Sequence, residues 1–170
     1  EEADFVEAAL ARVGLPAQGI SAGDERQAGA VRWRALWPRR VIEAGSVPNN
    51  ASIVLAVSIS GRMILLTGDV EAEAQVAVMP LLQGLRPDVV KVPHHGSRVQ
   101  AAGFPTAAPA AVALVSVGAG NPYGHPAPET IAAWQAVGAL VVRTDQAGDV
   151  AVVKAPAGVA VVARSGMLPP

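Results

Sequence analysis

From Ser52 onward, short apolar runs of strand length alternate with stretches of helix composition, which limits the chain to a mixed α/β domain. Residues 52–59 and 63–66 are two such runs joined across Gly61, the pattern of a β-hairpin. Residues 70–82 then read as a helix rich in Glu, Ala and Gln, closed by Gly84. Strands are expected at 88–92 and 111–117, and a helix at 129–137 with Pro128 near its first turn and Gly138 at its end. Three more strands follow at 140–143, 150–154 and 158–162, separated by turns containing Gly and Asp. Upstream, Val6, Leu10 and Val13 mark one face of a helix over 4–13, and residues 30–37 form a strand ended by Pro38. The expected organisation is one domain over 1–164 and a frayed, Pro-containing tail over 165–170.

Composition narrows the function classes. Hydrophobic residues make up 51% of the 170-residue chain, enough for a core, and this excludes intrinsic disorder. Thirteen Lys and Arg against 14 Asp and Glu give a net charge of −1, which is not the balance of a dedicated basic nucleic-acid module. The absence of cysteine removes disulfide frameworks, thiolate zinc sites and thiol catalysis. The richest apolar run, 107–120, is broken by Pro109 and Gly118 and falls short of the ~18 residues of a membrane helix. The chain opens Glu1-Glu2-Ala3-Asp4 without an initiator Met or signal peptide, so a piece of something longer is expected.

In α/β sheets, ligands gather beyond the carboxyl ends of strands. Three such places here carry chemistry. Thr67-Gly68-Asp69-Val70-Glu71 sets Asp69 after an apolar strand, either as a helix N-cap or as a carboxylate directed into the strand-end crevice. Lys91-Val92-Pro93-His94-His95-Gly96-Ser97 puts two histidines after the next strand. Neighbours in an extended chain point to opposite sides, so at most one of the two is expected to ligate a given ion. A pair of hydrogen-bonded, partly buried histidines is the plainer alternative. Asn121-Pro122-Tyr123-Gly124-His125-Pro126 holds His125 in a stiff loop, either as a placed functional group or as part of a Pro-rich connector. All three histidines of the chain thus lie in strand-end loops, and together with Asp69 they offer the nitrogen and oxygen ligands of zinc and related divalent ions.

Those motifs, with Asn49-Asn50-Ala51-Ser52-Ile53-Val54-Leu55 before them, resemble in their order the metallo-β-lactamase-like domain of ComEC-type competence proteins, over roughly residues 29–153. The resemblance implies the second half of a metal-dependent αββα hydrolase sandwich, in a bacterial membrane protein that brings DNA into the cell. In that family the domain is held to be a nuclease acting on the strand that is not imported. Carried onto this chain, it makes Asp69 a bridging metal ligand and His95 the later ligand. His94 faces the substrate phosphate, and His125 binds substrate or transfers a proton. Ser97, Lys91, Arg98, Asn50 and Tyr123 are the candidate substrate-binding residues; Arg62 and Arg143 are further cations available for phosphate. The implied cofactor is a divalent metal, zinc or manganese, dinuclear in the intact domain. The implied partners are DNA and the remaining membrane and N-terminal parts of the same polypeptide, with the domain on the extracytoplasmic side of the cytoplasmic membrane.

One departure matters. The family's main ligand string, His-x-His-x-Asp-His, is absent from this sequence. The chain alone is therefore expected to bind metal weakly and to have little nuclease activity. Two alternatives stand beside the nuclease: hydrolysis of another phosphoester on the same fold, and a catalytically silent docking module of an uptake channel.

Overall fold

The computed structural model describes residues 2–164 and 166–168. Helix α1 (Glu2–Arg12) precedes a seven-stranded sheet built from β1 (Glu25–Ala28), β2 (Val31–Trp37), β3 (Val54–Ile59), β4 (Arg62–Leu66), β5 (Val89–Lys91), β6 (Val112–Val115) and β7 (Leu140–Arg143). Between the strands run α2 (Val47–Asn50), α3 (Ala72–Val78), α4 (Phe104–Ala107) and α5 (Pro128–Ala136), and α6 (Thr144–Ala147) follows β7. The strands lie side by side in chain order. β1 to β4 pair antiparallel, with tight turns joining β1 to β2 and β3 to β4 and a longer connection carrying α2 between β2 and β3, whereas β4 to β7 pair parallel. A second sheet of β8 (Val150–Ala155), β9 (Gly158–Ala163) and β10 (Gly166–Leu168) is antiparallel throughout.

Alternation along the parallel strands sorts their side chains into two cores. Leu65, Val90, Ala113 and Val115 face a layer of helices that supplies Val78, Phe104 and Trp134. Their sequence neighbours Ile64, Val89, Val112 and Val142 face the small sheet, where Val161 closes the second core. The architecture is therefore helices, large sheet, small sheet. Trp134 and Phe104 pack edge to face at 6.3 Å, and each buries nearly its whole surface, worth about 1.5–3 kcal/mol or more apiece.

The mixed α/β class and all eleven expected elements are found, most with boundaries shifted by a few residues. The helix expected over 70–82 is shorter. Pro80 lacks the N–H that an α-helix needs, and the chain tightens into a 3₁₀ turn at Met79–Leu82. The tail expected to fray instead contributes β10, which pairs its backbone with Val161 to Ala163 on the edge of β9. Ser165, Pro169 and Pro170, which that expectation also covered, lie outside the described residues. No helix among the described residues is long and apolar enough to cross a membrane.

Candidate active site

The site forms where β4, β5 and β6 end, as the parallel topology dictates. β4 stops at Leu66, and the chain then turns through Gly68 at φ +56°. A Cβ at Gly68 would stand 2.5 Å from Ser52 Cβ, so only glycine lets the turn pass so close. Ser52 uses that proximity: its Oγ accepts the Asp69 N–H at 3.0 Å. Buried Thr67 donates its hydroxyl to the Lys91 carbonyl at 2.7 Å and ties the end of β4 to the end of β5. Lys91 Nζ donates to the Gly68 carbonyl at 2.7 Å and to Asp69 Oδ1 at 3.2 Å. The capping alternative for Asp69 does not hold, because α3 begins at Ala72 with Glu71 in the N-cap position.

After β5 the backbone leaves the extended conformation. His94 (φ 46°, ψ 47°), His95 (φ 54°, ψ 23°) and Gly96 (φ +79°) make three consecutive left-handed residues. This overturns the expectation of an extended pair pointing apart. The left-handed turn brings both imidazoles to one cleft, with ring centroids 6.3 Å apart. Such a conformation costs roughly 1–2 kcal/mol at each non-glycine residue. It is held by the Ala127 N–H bonded to the Gly96 carbonyl at 2.8 Å and by Pro126 packed against Gly96. The same packing delivers His125, whose ring lies 5.3 Å from that of His94, with Tyr123 stacked on its other side at 6.3 Å.

These side chains line a cleft of about 530 Å³ together with Ser116, Asn121 and Thr144. His95 Nδ1 lies 2.6 Å from the Ser116 carbonyl, which can only accept, so Nδ1 carries the proton. In a neutral ring Nε2 then presents a bare lone pair, and it faces Asp69 Oδ2 at 3.4 Å. Two electron-pair donors set against each other are what a bound cation would reconcile, and the carbonyl behind His95 is the usual outer support of a metal-bound imidazole. Asp69 and His95 therefore fit one side of a divalent metal site. Among the described residues no group of three or more His, Cys, Asp or Glu side chains is placed to hold a metal, so the pair is not a closed site.

The electrostatics follow the geometry. Burial pushes the Asp69 carboxyl up, but Lys91 and, more weakly, His95 and His94 outweigh it and hold it below the ordinary range. His125 lies below the usual imidazole value, first through burial and then through the positive fields of His94, His95 and Arg98. His94 Nδ1 is buried without a hydrogen bond; the nearest acceptor, Glu71 Oε1, stands 3.3 Å away off the line of approach. Asn49 Nδ2 donates to that same oxygen at 2.8 Å.

Not every expected residue reaches the cleft. Asp69, His94, His95, His125 and Tyr123 line it, Lys91 stands behind Asp69, and exposed Arg98 lies within electrostatic reach of His125. Asn50 is buried in the framework, accepting the Glu71 N–H at 3.0 Å and donating to Glu73 at 3.2 Å. Ser97 is buried too; its hydroxyl accepts the Val99 N–H at 3.1 Å and its carbonyl accepts from Thr130 at 2.8 Å. Arg62 starts β4, at the end of the strand away from the site, and pairs with Asp88 at 3.1 Å. Arg143 is engaged by Asp145 at 2.6 Å. Sequence reasoning missed Glu71, Ser116 and Thr144. Glu71 was visible as the acid two places after Asp69, but Ser116 acts through its backbone and Thr144 by bracing Val117, whose N–H and carbonyl it binds at 2.8 and 2.7 Å.

Two curated proteins align with much of the chain. ComE operon protein 3 of Bacillus subtilis (strain 168) is 32% identical over 138 residues, 81% of this chain and 18% of that protein. The chain is related to competence proteins. Competence protein ComA of Neisseria gonorrhoeae is likewise 32% identical, over 102 residues, 59% of this chain and 15% of that protein. The chain thus spans less than a fifth of the length of either relative. No protein-family profile matches it.

Proposed function

We propose that the chain is the second half of a metallo-β-lactamase-like hydrolase domain in a bacterial membrane protein for DNA uptake, and that the complete domain is a metal-dependent nuclease acting on the strand that is not imported. The observation that carries this reading is the opposed pair of Asp69 Oδ2 and His95 Nε2 at 3.4 Å, with His94 and His125 on the same cleft. Helices on one face of a mixed sheet and a small sheet on the other agree with half of an αββα sandwich. The two competence relatives supply the context of uptake.

In this reading Asp69 and His95 hold part of a zinc or manganese centre, with further ligands from a preceding segment of a longer polypeptide. The metal supplies an activated water and neutralises phosphoryl oxygen charge. Lys91 fixes the orientation of Asp69 through Oδ1 and leaves Oδ2 toward the cleft. His125, neutral near pH 7, is suited to accept or return a proton, while Arg98 and Tyr123 at the rim contact the phosphodiester chain.

Zinc or manganese titrated into this chain is expected to bind weakly in calorimetry. DNA cleavage by the complete domain is expected to require metal and to be abolished by Asp69→Ala or His95→Ala. Cleavage that survives Asp69→Ala defeats the proposal, as does tight stoichiometric metal binding by the chain alone. A second reading, a catalytically silent docking module, draws on the Lys91 ammonium already 3.2 Å from Asp69 and on the incomplete donor set. It predicts no metal-dependent cleavage by the complete domain on any phosphodiester.

A further inference from the structure

The even overall charge hides an uneven distribution. Residues 26–40 contain Arg26, Arg32, Arg34, Arg39 and Arg40 and no acidic residue, while the rest of the chain holds the other eight basic residues against all 14 acidic ones. These five arginines lie on the β1–β2 hairpin, which is the edge of the large sheet, and on the turn after it. All five are exposed. Arg26 is bonded to Gln18 and Arg32 to Gln27, both neutral, and among the described residues none of the five has an acidic partner within ion-pairing distance. Glu25 lies across from Arg34 in the strand register without pairing to it.

Unpaired arginines are expensive to crowd, because like charges side by side on a sheet repel. Arg32 and Arg34, two residues apart, project from the same face of β2 at about 7 Å along the strand. Beyond Pro38, Arg39 and Arg40 border a cleft of about 720 Å³ with Ser21 and Val41. On the opposite face of the ribbon Trp33 is only partly covered, with the Arg26 guanidinium 6.0 Å from its ring centre. Exposed guanidinium groups without acidic partners, with a groove at one end, suit a single-stranded phosphodiester chain, because they can meet successive phosphates. An acidic bilayer is a flat partner and does not enter a cleft, so the concave end favours a chain-like polyanion.

We infer that the arginine strip of Arg32, Arg34, Arg39 and Arg40 is a binding track for single-stranded nucleic acid, separate from the Asp69–His95 cleft. It acts by holding the polyanion, and it does not rest on the hydrolase reading.

The test is fluorescence anisotropy of the whole chain with a labelled thymidine oligonucleotide of about 20 nucleotides, in excess chelator so that no metal site contributes. Each phosphate contact adds about 0.7 to the salt slope for a single strand, so four contacts predict an affinity loss of about 50-fold between about 50 and 200 mM salt. With all four arginines changed to Gln, affinity at about 50 mM salt is expected to fall at least tenfold, and the slope to fall by close to 2.8. The matching variant with four Lys is expected to keep most of the slope, which separates lost charge from lost fold. Arg86→Gln with Arg164→Gln, away from the strip, is expected to leave binding unchanged. The inference is overturned by an unchanged slope in the four-Gln variant, by an equal loss in the Arg86 and Arg164 control, or by binding to phosphatidylserine vesicles with no binding to the oligonucleotide.

Discussion

Replacing Gly96 by Ala tests how the histidine turn is held. The new Cβ would lie 2.6 Å from Pro126 Cβ, 3.2 Å from Pro126 Cα and 3.4 Å from Val115 Cγ1, all on fixed ring, backbone or core atoms. Two costs add. The left-handed backbone at φ +79° costs an alanine about 1–2 kcal/mol, and forcing a methyl group into a packed neighbour costs about 1–3 kcal/mol more. The expected destabilisation is about 2–5 kcal/mol, which for a chain of this size lowers Tm by roughly 4–20 °C. Gly84 offers an internal control, since it has the same φ of +79° but nothing within 4 Å of its virtual Cβ. Gly84→Ala is therefore expected to show the backbone cost alone. Urea unfolding of the two variants and the parent, followed by tryptophan fluorescence, gives the comparison. If Gly96→Ala is no less stable than Gly84→Ala, Pro126 does not clamp the turn and the account of how His94, His95 and His125 are brought together is wrong.

Two further outcomes follow from other parts of the structure. Gln75 is fully buried and cross-links three segments: its amide donates to the Val70 carbonyl at 2.7 Å and to Gln100 at 2.8 Å, and its oxygen accepts the Ala101 N–H at 2.8 Å. Gln75→Leu strips partners from buried groups that stay in place and is expected to cost about 1–3 kcal/mol in denaturant unfolding; a neutral result shows the network is dispensable. His125 has a folded-state pKa below its ordinary 6.5, so the unfolded chain binds the proton more readily in the interval between the two. The stability it contributes is complete above pH 6.5 and is lost as pH falls through the folded value. NMR titration of the ring protons is expected to show His125 midway below 6.5, and His125→Asn is expected to flatten that part of the stability profile; a midpoint above 6.5 contradicts the packing described.

The parallel strands were legible because Val89–Lys91, Val112–Val115 and Leu140–Arg143 are buried on both faces and read as plain apolar runs. The catalytic candidates were legible because topology places strand-end loops together, whatever their detailed shape. β1 was not, since Glu25–Ala28 is exposed throughout and exists only by pairing with Ala28's partner strand β2; its own residues carry no alternation. The left-handed His94-His95 turn was hidden for a related reason. Local preference disfavours it, and the tertiary contact between Gly96 and Pro126, 30 residues apart in sequence, imposes it. Asn50, Gln75 and Ser97 are buried polar side chains whose partners lie on other segments, and hydropathy alone marks them as surface.

Spatial order and chain order coincide in the large sheet, from β1 to β7 without a single insertion. A polypeptide emerging amino end first can therefore add each new strand to an edge that already exists, and no completed pairing has to reopen. The cleft is then assembled in sequence: the Asp69 turn follows β4, β5 brings Lys91 behind it, and the histidine turn is locked only when the loop carrying His125 and Pro126 follows β6. Only when β7 docks and Thr144 seizes Val117 are all the walls present. A chain released before that point carries Asp69 and both turn histidines but lacks the brace at Val117, so the cleft takes its final shape only when the sheet has been finished.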